Sequence, residues 1–283
     1  MTTTTTPTWF ITGASSGFGL AFARYALDRG YNVVATARSI GKLEALAASA
    51  PDRVLVHKLD VSVPADAEAA IAAAVRRFGR IDVLINNAGY GTMGAVEETP
   101  DAEFRAQMET NFFGALSVTR AALPQLRTQR GGAIVNMSSN GGQMSFPGAG
   151  SYSASKFALE GMSEALAQEV APFGIKVLIV EPGAFRTGFG GDALKYMPMM
   201  DEYRDIVGVM RDFTRKMDGT QEGDPYKAAA AIEQALAAET TPLRLQLGAD
   251  GVASVRAHAE QLLKDLAAWE NVGIETRLDP PVA

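Results

Sequence analysis

The chain has 283 residues, 47% of them hydrophobic and 20% charged, with a net charge of −6 and no cysteine. That length and apolar content suit one large domain with a sizeable core, spanning residues 1–283. The acidic balance disfavours nucleic acid and anionic lipid as partners, the missing thiols exclude disulfides, thiolate nucleophiles and Cys-ligated zinc, and no apolar run approaches the ~18 residues of a membrane span. No basic and apolar leader opens the chain, so a soluble, cytoplasmic protein is expected.

Apolar, β-branched runs of strand length alternate with helical stretches, the pattern of βαβ units on a parallel sheet. After Met1 and five threonines, a leader predicted to be disordered, residues 8–12 read as the first strand and 17–29 as a helix closed by Gly30. The second strand is 31–37, a short helix covers 42–48, the third strand is 53–59, a helix follows at 64–78, and the fourth strand is 81–85. A long helical region, 101–128, has Pro124 marking a bend or break. The fifth strand is 133–137, a helix spans 151–171, and the sixth strand is 175–180. Residues 183–224 read as irregular, with a lid-like part at about 188–225; a helix at 225–238, a strand at 243–247, a last helix at 252–269 and a Pro-containing tail complete the chain. The predicted fold is a doubly wound (Rossmann) α/β sheet of about seven parallel strands in the order 3-2-1-4-5-6-7.

Chemistry-bearing residues gather just beyond the carboxyl ends of these strands, where open parallel sheets bind ligands. The first turn, Thr12-Gly13-Ala14-Ser15-Ser16-Gly17-Phe18-Gly19, follows a strand and opens a helix. Small residues there let the backbone approach a pyrophosphate, and the helix N-terminus offers free N–H groups to the anion. Asp60, Asn86 to Gly89, Ser139, and Pro182 with Gly183 occupy equivalent positions after other strands. Tyr152 and Lys156 stand one helical turn apart, so the lysine shares the tyrosine's face and favours its phenolate. Such a tyrosine exchanges a proton with a carbonyl oxygen or an alcohol, and Ser139 is placed to hydrogen-bond the same oxygen. His57 and His258 fit no such constellation and read as structural or solvent-facing.

In these motifs the chain resembles the short-chain dehydrogenase/reductase (SDR) family over nearly its whole length. The resemblance implies a nicotinamide dinucleotide cofactor held by Thr12, Gly13, Ser15, Ser16, Gly17, Phe18 and Gly19, by Asp60 and Val61, by Asn87, Ala88 and Gly89, by Tyr152 and Lys156, and by Pro182, Gly183 and Thr187. It also implies a catalytic set of Asn111, Ser139, Tyr152 and Lys156, with Asn111 holding a water behind the lysine. Relatives commonly form homodimers or tetramers through the helices at 101–128 and 151–171, a surface the last helix could cover in part. No metal is implied.

At the end of the second strand, neutral Ala37 is followed by Arg38. An NAD site presents an acid there, whereas an arginine suits a 2'-phosphate, so NADP is expected over NAD. The alternatives are an NAD-dependent alcohol dehydrogenase working oxidatively and a non-catalytic dinucleotide sensor. The expected substrate is a small-molecule carbonyl or alcohol with an apolar body. Five of the eleven methionines fall within 188–225, which suggests either a mobile cover for a bulky ketone or a helix pair using methionine as core filler. Met93, Met144, Phe146 and Phe185, near the reacting groups in sequence, are the candidate pocket walls.

Overall fold

The computed structural model describes residues 6–191 and 193–278; the threonine leader up to residue 5 and the end of the Pro-containing tail lie outside the described residues. The elements are β1 (Thr8–Ile11), α1 (Gly17–Asp28), β2 (Asn32–Ala37), α2 (Glu44–Ser49), β3 (Val54–Lys58), α3 (Pro64–Phe78), β4 (Val83–Asn86), β5 (Gly91–Met93), α4 (Asp101–Met108) and α5 (Gly114–Gln129). They continue with β6 (Ala133–Met137), α6 (Gly150–Val170), β7 (Lys176–Pro182), β8 (Leu194–Tyr196), α7 (Val209–Met217), α8 (Pro225–Ala237), β9 (Arg244–Leu247) and α9 (Ala249–Ile274).

Seven strands form one sheet in the order β3-β2-β1-β4-β6-β7-β9, every pairing parallel. This is the predicted order, once the short pair β5 and β8 is set aside. Strands covered on both faces must be apolar throughout. β1 and β6 meet that demand with every residue buried. Side chains alternate between faces: Trp9 and Ile11 join a core beneath α1, α2 and α8, whereas Phe10 joins the opposite core beneath α3, α5 and α6.

Local signals explain several boundaries. Pro64 opens α3, where its missing N–H costs nothing, and Gly79 closes it in the left-handed conformation at φ 77°. Pro124 does not break its helix, because α5 runs through it to Gln129. Pro124 and Arg120 lie on the exposed side, so water can satisfy the carbonyl that the proline leaves without a donor. The irregularity sits earlier, in a π-helical turn at Glu109–Phe113 that joins α4 to α5.

The region at 188–225 is more ordered than expected. β8 pairs in parallel with β5, aligning Leu194–Tyr196 with Gly91–Met93. A second short π-helical turn and α7 follow, and a bridge between Phe185 and Gly223 closes the far end. The last helix is longer than predicted at both ends. Among the described residues, no helix is long and apolar enough to cross a membrane.

Candidate active site

The sheet registers bring the predicted residues to one edge. Thr12 follows β1, Asp60 follows β3, Asn87 to Gly89 follow β4, Ser139 follows β6, and Gly183 follows β7. The Thr12 hydroxyl accepts from the backbone N–H groups of Asn87 and Ala88 at 2.9 and 3.0 Å. The Asn87 side chain donates to the carbonyls of Thr12 and Gly13 at 2.8 and 3.2 Å, tying the two turns together.

Two glycines of the first turn cannot be replaced without movement. Gly13 has φ 64°, and a Cβ on Gly19 would stand 2.4 Å from the Gly13 carbonyl oxygen. Ser16, at the head of α1, makes no side-chain cap, which leaves the first-turn N–H groups of the helix open. A glycine cradle under an uncapped helix N-terminus fits a dinucleotide pyrophosphate. Ser15 and Phe18 are half-buried in the same turn, and Thr187 reaches it from beyond β7, its Cβ standing 3.4 Å from where a side chain on Gly17 would begin.

Arg38 is exposed and forms no ion pair or hydrogen bond with the described residues. Asp60 is held below the usual carboxylate range by the Ser62 hydroxyl and N–H, with Arg38 and Lys58 adding to the effect. Val61 is buried against Gly114, the first residue of α5.

At the catalytic corner, α6 starts beside the end of β6. Lys156 is buried and donates to the Met137 carbonyl at 2.7 Å, with its Nζ 5.7 Å from the centre of the Tyr152 ring. Ser139 Oγ accepts from Gly141 N at 3.0 Å and donates to Asn140 Oδ1 at 3.0 Å. Burial pushes Tyr152 up to about 12, opposed by the Ser139 hydroxyl, and pushes Lys156 down to about 8, opposed by Glu160. Among the chain's own groups, burial therefore outweighs whatever lowering the lysine's charge brings to the tyrosine.

Asn111 lies in the π-helical turn, with both its side-chain N–H groups and one acceptor site of its oxygen engaged. It donates to Tyr90 O and Ser155 Oγ at 3.0 Å each and accepts from Tyr90 N at 3.1 Å. The extra residue of that turn swings Asn111 beside Gly89, whose hypothetical Cβ would lie 3.1 Å from Asn111 Oδ1 and 3.8 Å from Lys156 Nζ.

The candidate pocket walls divide. Met93 is buried in β5 with its sulfur toward Gly148, Met144 is half-buried, and Phe146 is exposed. Phe185 packs on Phe18, with ring centres 5.1 Å apart, and on the core beneath α1, so it supports the cofactor turn instead of forming a pocket wall. Phe189, an aromatic of the stretch at 188–225 that the sequence suggests as a cover, has its ring 5.5 Å from that of Tyr152 and covers it. His57 sits in β3 against the Lys58 carbonyl, and His258 lies part-exposed on α9, both away from the site.

Sequence reasoning missed a buried amide relay beneath the site. Asn86 donates to Thr119 Oγ1 at 2.9 Å and Asn136 Oδ1 at 2.8 Å, and Asn136 donates to Ser163 Oγ at 2.7 Å. The clue was polar asparagine in strands otherwise apolar, which only partners can make tolerable.

A family model for short chain dehydrogenases matches residues 7–196. The chain belongs to the short-chain dehydrogenase family. It is 47% identical to a short-chain dehydrogenase from Streptomyces avermitilis, with TM-score 0.92 over 97% of this chain and 100% of that one. It is 41% identical to a 3-ketodihydrosphingosine reductase of Bacteroides thetaiotaomicron over 84% of this chain and 86% of the relative. A 3-ketoacyl-(acyl-carrier-protein) reductase from Brucella melitensis, complexed with NADH, is 27% identical with TM-score 0.73 over 86% of this chain and 97% of that one. As a member of this family of dehydrogenases the chain is an oxidoreductase.

Proposed function

We propose that this short-chain dehydrogenase uses NADP(H) to reduce a ketone or aldehyde with an apolar body, or runs the reverse oxidation of the secondary alcohol. The observation that carries the reading is the joining of Ser139, Tyr152 and Lys156 to an uncapped, glycine-lined helix N-terminus along one sheet edge. The dinucleotide, when bound, supplies or takes the hydride.

The chain's own residues hold the substrate oxygen and move its proton. Tyr152, with its pKa raised to about 12, is protonated at neutral pH and so is poised to donate to a carbonyl oxygen. The Ser139 hydroxyl can turn from Asn140 to the same oxygen as negative charge develops there. Lys156, lowered only to about 8, remains mostly cationic at pH 7, and its charge counters the phenolate left when Tyr152 gives up its proton. Asn111 fixes the Tyr90 backbone and Ser155 behind this pair.

The residues proposed to hold the dinucleotide are the turn from Thr12 to Gly19, Asp60 and Val61, Asn87 to Gly89, Pro182, Gly183 and Thr187. The choice of NADP over NAD rests on Arg38, an exposed guanidinium without a partner among the described residues, beside neutral Ala37. An apolar substrate body is favoured by Phe189 over Tyr152 and by Met93 and Met197, both buried and joined by a backbone hydrogen bond where β5 meets the cover. The name of the Bacteroides relative, a reductase of a ketone, agrees with that direction.

Rates of NADPH and NADH oxidation across small, aromatic and long-chain ketones and aldehydes test the proposal. NADPH is expected to support turnover, and Arg38→Asp to shift preference toward NADH. Equal use of both dinucleotides by the wild type would remove the role of Arg38. Measurable dinucleotide binding without turnover on any carbonyl would favour a sensor.

A further inference from the structure

Helix α9 is 26 residues long, yet Gly251 is its only buried residue. Its foot is fixed, because Asp250 Oδ2 accepts from Ala184 N at 2.7 Å and Gly251 packs against Gly183. Every residue from Ala259 to Leu278 is exposed. Leu262, Leu263, Leu266 and Trp269 stand 54–68% exposed. Val255, Ala259, Leu262, Leu266, Trp269 and Gly273 recur at alternating steps of four and three, the spacing of a single helical seam.

A projecting helix of this kind gains little stability from its own hydrogen bonds, so its apolar seam calls for a cover. At about 100 Å² per large side chain, Leu262, Leu263, Leu266, Trp269, Val272 and Ile274 offer about 600 Å², most of the ~800 Å² that each partner contributes to a standard interface.

We propose that the seam is covered by α9 of a second copy of this chain, packed antiparallel across a two-fold axis near Lys264. The size pattern is self-complementary in that register. Leu262 meets the partner's Leu266, bulky Trp269 meets the partner's Ala259, and Val255 meets the partner's Gly273. On one flank Arg256 faces the partner's Glu270, twice by symmetry, and Leu263 faces the partner's Leu263. On the other flank Asp265 faces its own copy, the one unfavourable pairing. A parallel arrangement loses both Arg–Glu pairs and sets Asp265 beside the partner's Glu270 twice. The antiparallel register also lays the end of the partner helix over a shallow concavity of about 590 Å³ along the foot of α9, lined by Gly248, Val252, Arg256 and Glu260.

The absence of cysteine makes the test clean. Under mild oxidation, Leu263→Cys is expected to form a covalent dimer, because the antiparallel register brings the two copies of residue 263 together. Lys264→Cys, on the far side of the helix, is expected to stay uncrosslinked. Sedimentation should show Leu266→Glu weakening association roughly 100-fold or more, since it places a charge in the seam twice per dimer. Arg256→Glu and Glu270→Arg should each weaken it, and the double variant should restore it. Because α9 leaves the catalytic corner at its foot, a folded variant is recognised by unchanged reductase activity per chain. A wild-type monomer that binds phosphatidylcholine vesicles would overturn the proposal in favour of a lipid surface. A dimer that survives Leu266→Glu, with no crosslink at Leu263→Cys, would overturn it in favour of another face.

Discussion

The catalytic wall and the cover at 188–225 are both buried polar structures, but they are held in different ways. Behind Tyr152 and Lys156, a chain of neutral amides and hydroxyls runs from Thr119 through Asn86 and Asn136 to Ser163. Among the described residues the cover has one buried ion pair to the rest of the fold: Arg211 donates to Glu98 Oε2 at 2.7 Å, the two side chains being 3% and 0% exposed, whereas its other ion pair outward, Lys195 with Glu103, lies near the surface. Arg211 also donates to Met197 O at 2.7 Å, and Glu98 accepts from Ala95 N and Met200 N at 2.7 and 2.8 Å. Burial pushes the Glu98 carboxyl up, yet the Met200 and Ala95 N–H groups and the Arg211 guanidinium together hold it below its ordinary value. The neutral network spreads its bonds over four elements and keeps the proton-transfer groups in place with no charge to titrate. The cover concentrates its buried polar hold in one charged pair, its remaining ties being the short β5–β8 pairing and surface contacts such as Lys195 with Glu103, so it is the part a single substitution is expected to loosen.

The largest expected effect follows from that contrast. Arg211→Met leaves Glu98 charged and buried without its partner, a loss of about 3–5 kcal/mol. Because the cover can open alone, the expected result is faster amide hydrogen exchange across Leu194–Tyr196 and α7, and a weakened KM for bulky carbonyls, with protection of β6 unchanged. Equal loss of protection in β6 would show that the cover and the wall form one cooperative unit.

On the wall, Lys156→Met removes a cation 5.7 Å from the Tyr152 ring. The pH at which alcohol oxidation turns on should then rise by about 1–2 units, the size of a charge interaction over that distance at intermediate dielectric. An unchanged profile would mean that Lys156 only positions other groups.

A smaller effect belongs to Glu160, one turn beyond Lys156. Burial raises its pKa from 4.5 to about 7, with Ser138 and Arg244 opposing and Glu181 adding to the rise. Arg244 donates to it at 3.0 Å. A carboxyl with a raised folded pKa binds more protons folded than unfolded, so its contribution to stability is present below about pH 4.5, falls as pH rises to about 7, and is level above. The fall is on the order of 3 kcal/mol. Denaturant midpoints of Glu160→Gln should lack that slope between pH 5 and 7, and an undiminished slope would place the titration elsewhere.

Much of the catalytic wall was legible because parallel strands must end on one edge, so Thr12, Asn87, Ser139 and Gly183 had to converge once the strands were recognised. The Tyr152 and Lys156 pair needed only helical periodicity. The cover was not legible. β5 and β8 are three-residue strands without alternation, and Arg211 finds Glu98 across a separation of 113 residues that no local pattern encodes. Phe185 misled for a related reason, since nearness in sequence to the reacting groups did not predict that its ring would turn toward Phe18. At Pro124 a local rule was overridden by the exposed setting of the carbonyl it orphans.

The most direct test of the account is dinucleotide binding and ketone reduction measured side by side for the wild type and Tyr152→Phe. If Tyr152 is the proton donor beside a preformed cradle, the variant binds NADPH as the wild type does and its turnover falls by ~10²- to 10⁴-fold. Near-normal turnover in Tyr152→Phe would contradict the assignment of the proton to this tyrosine.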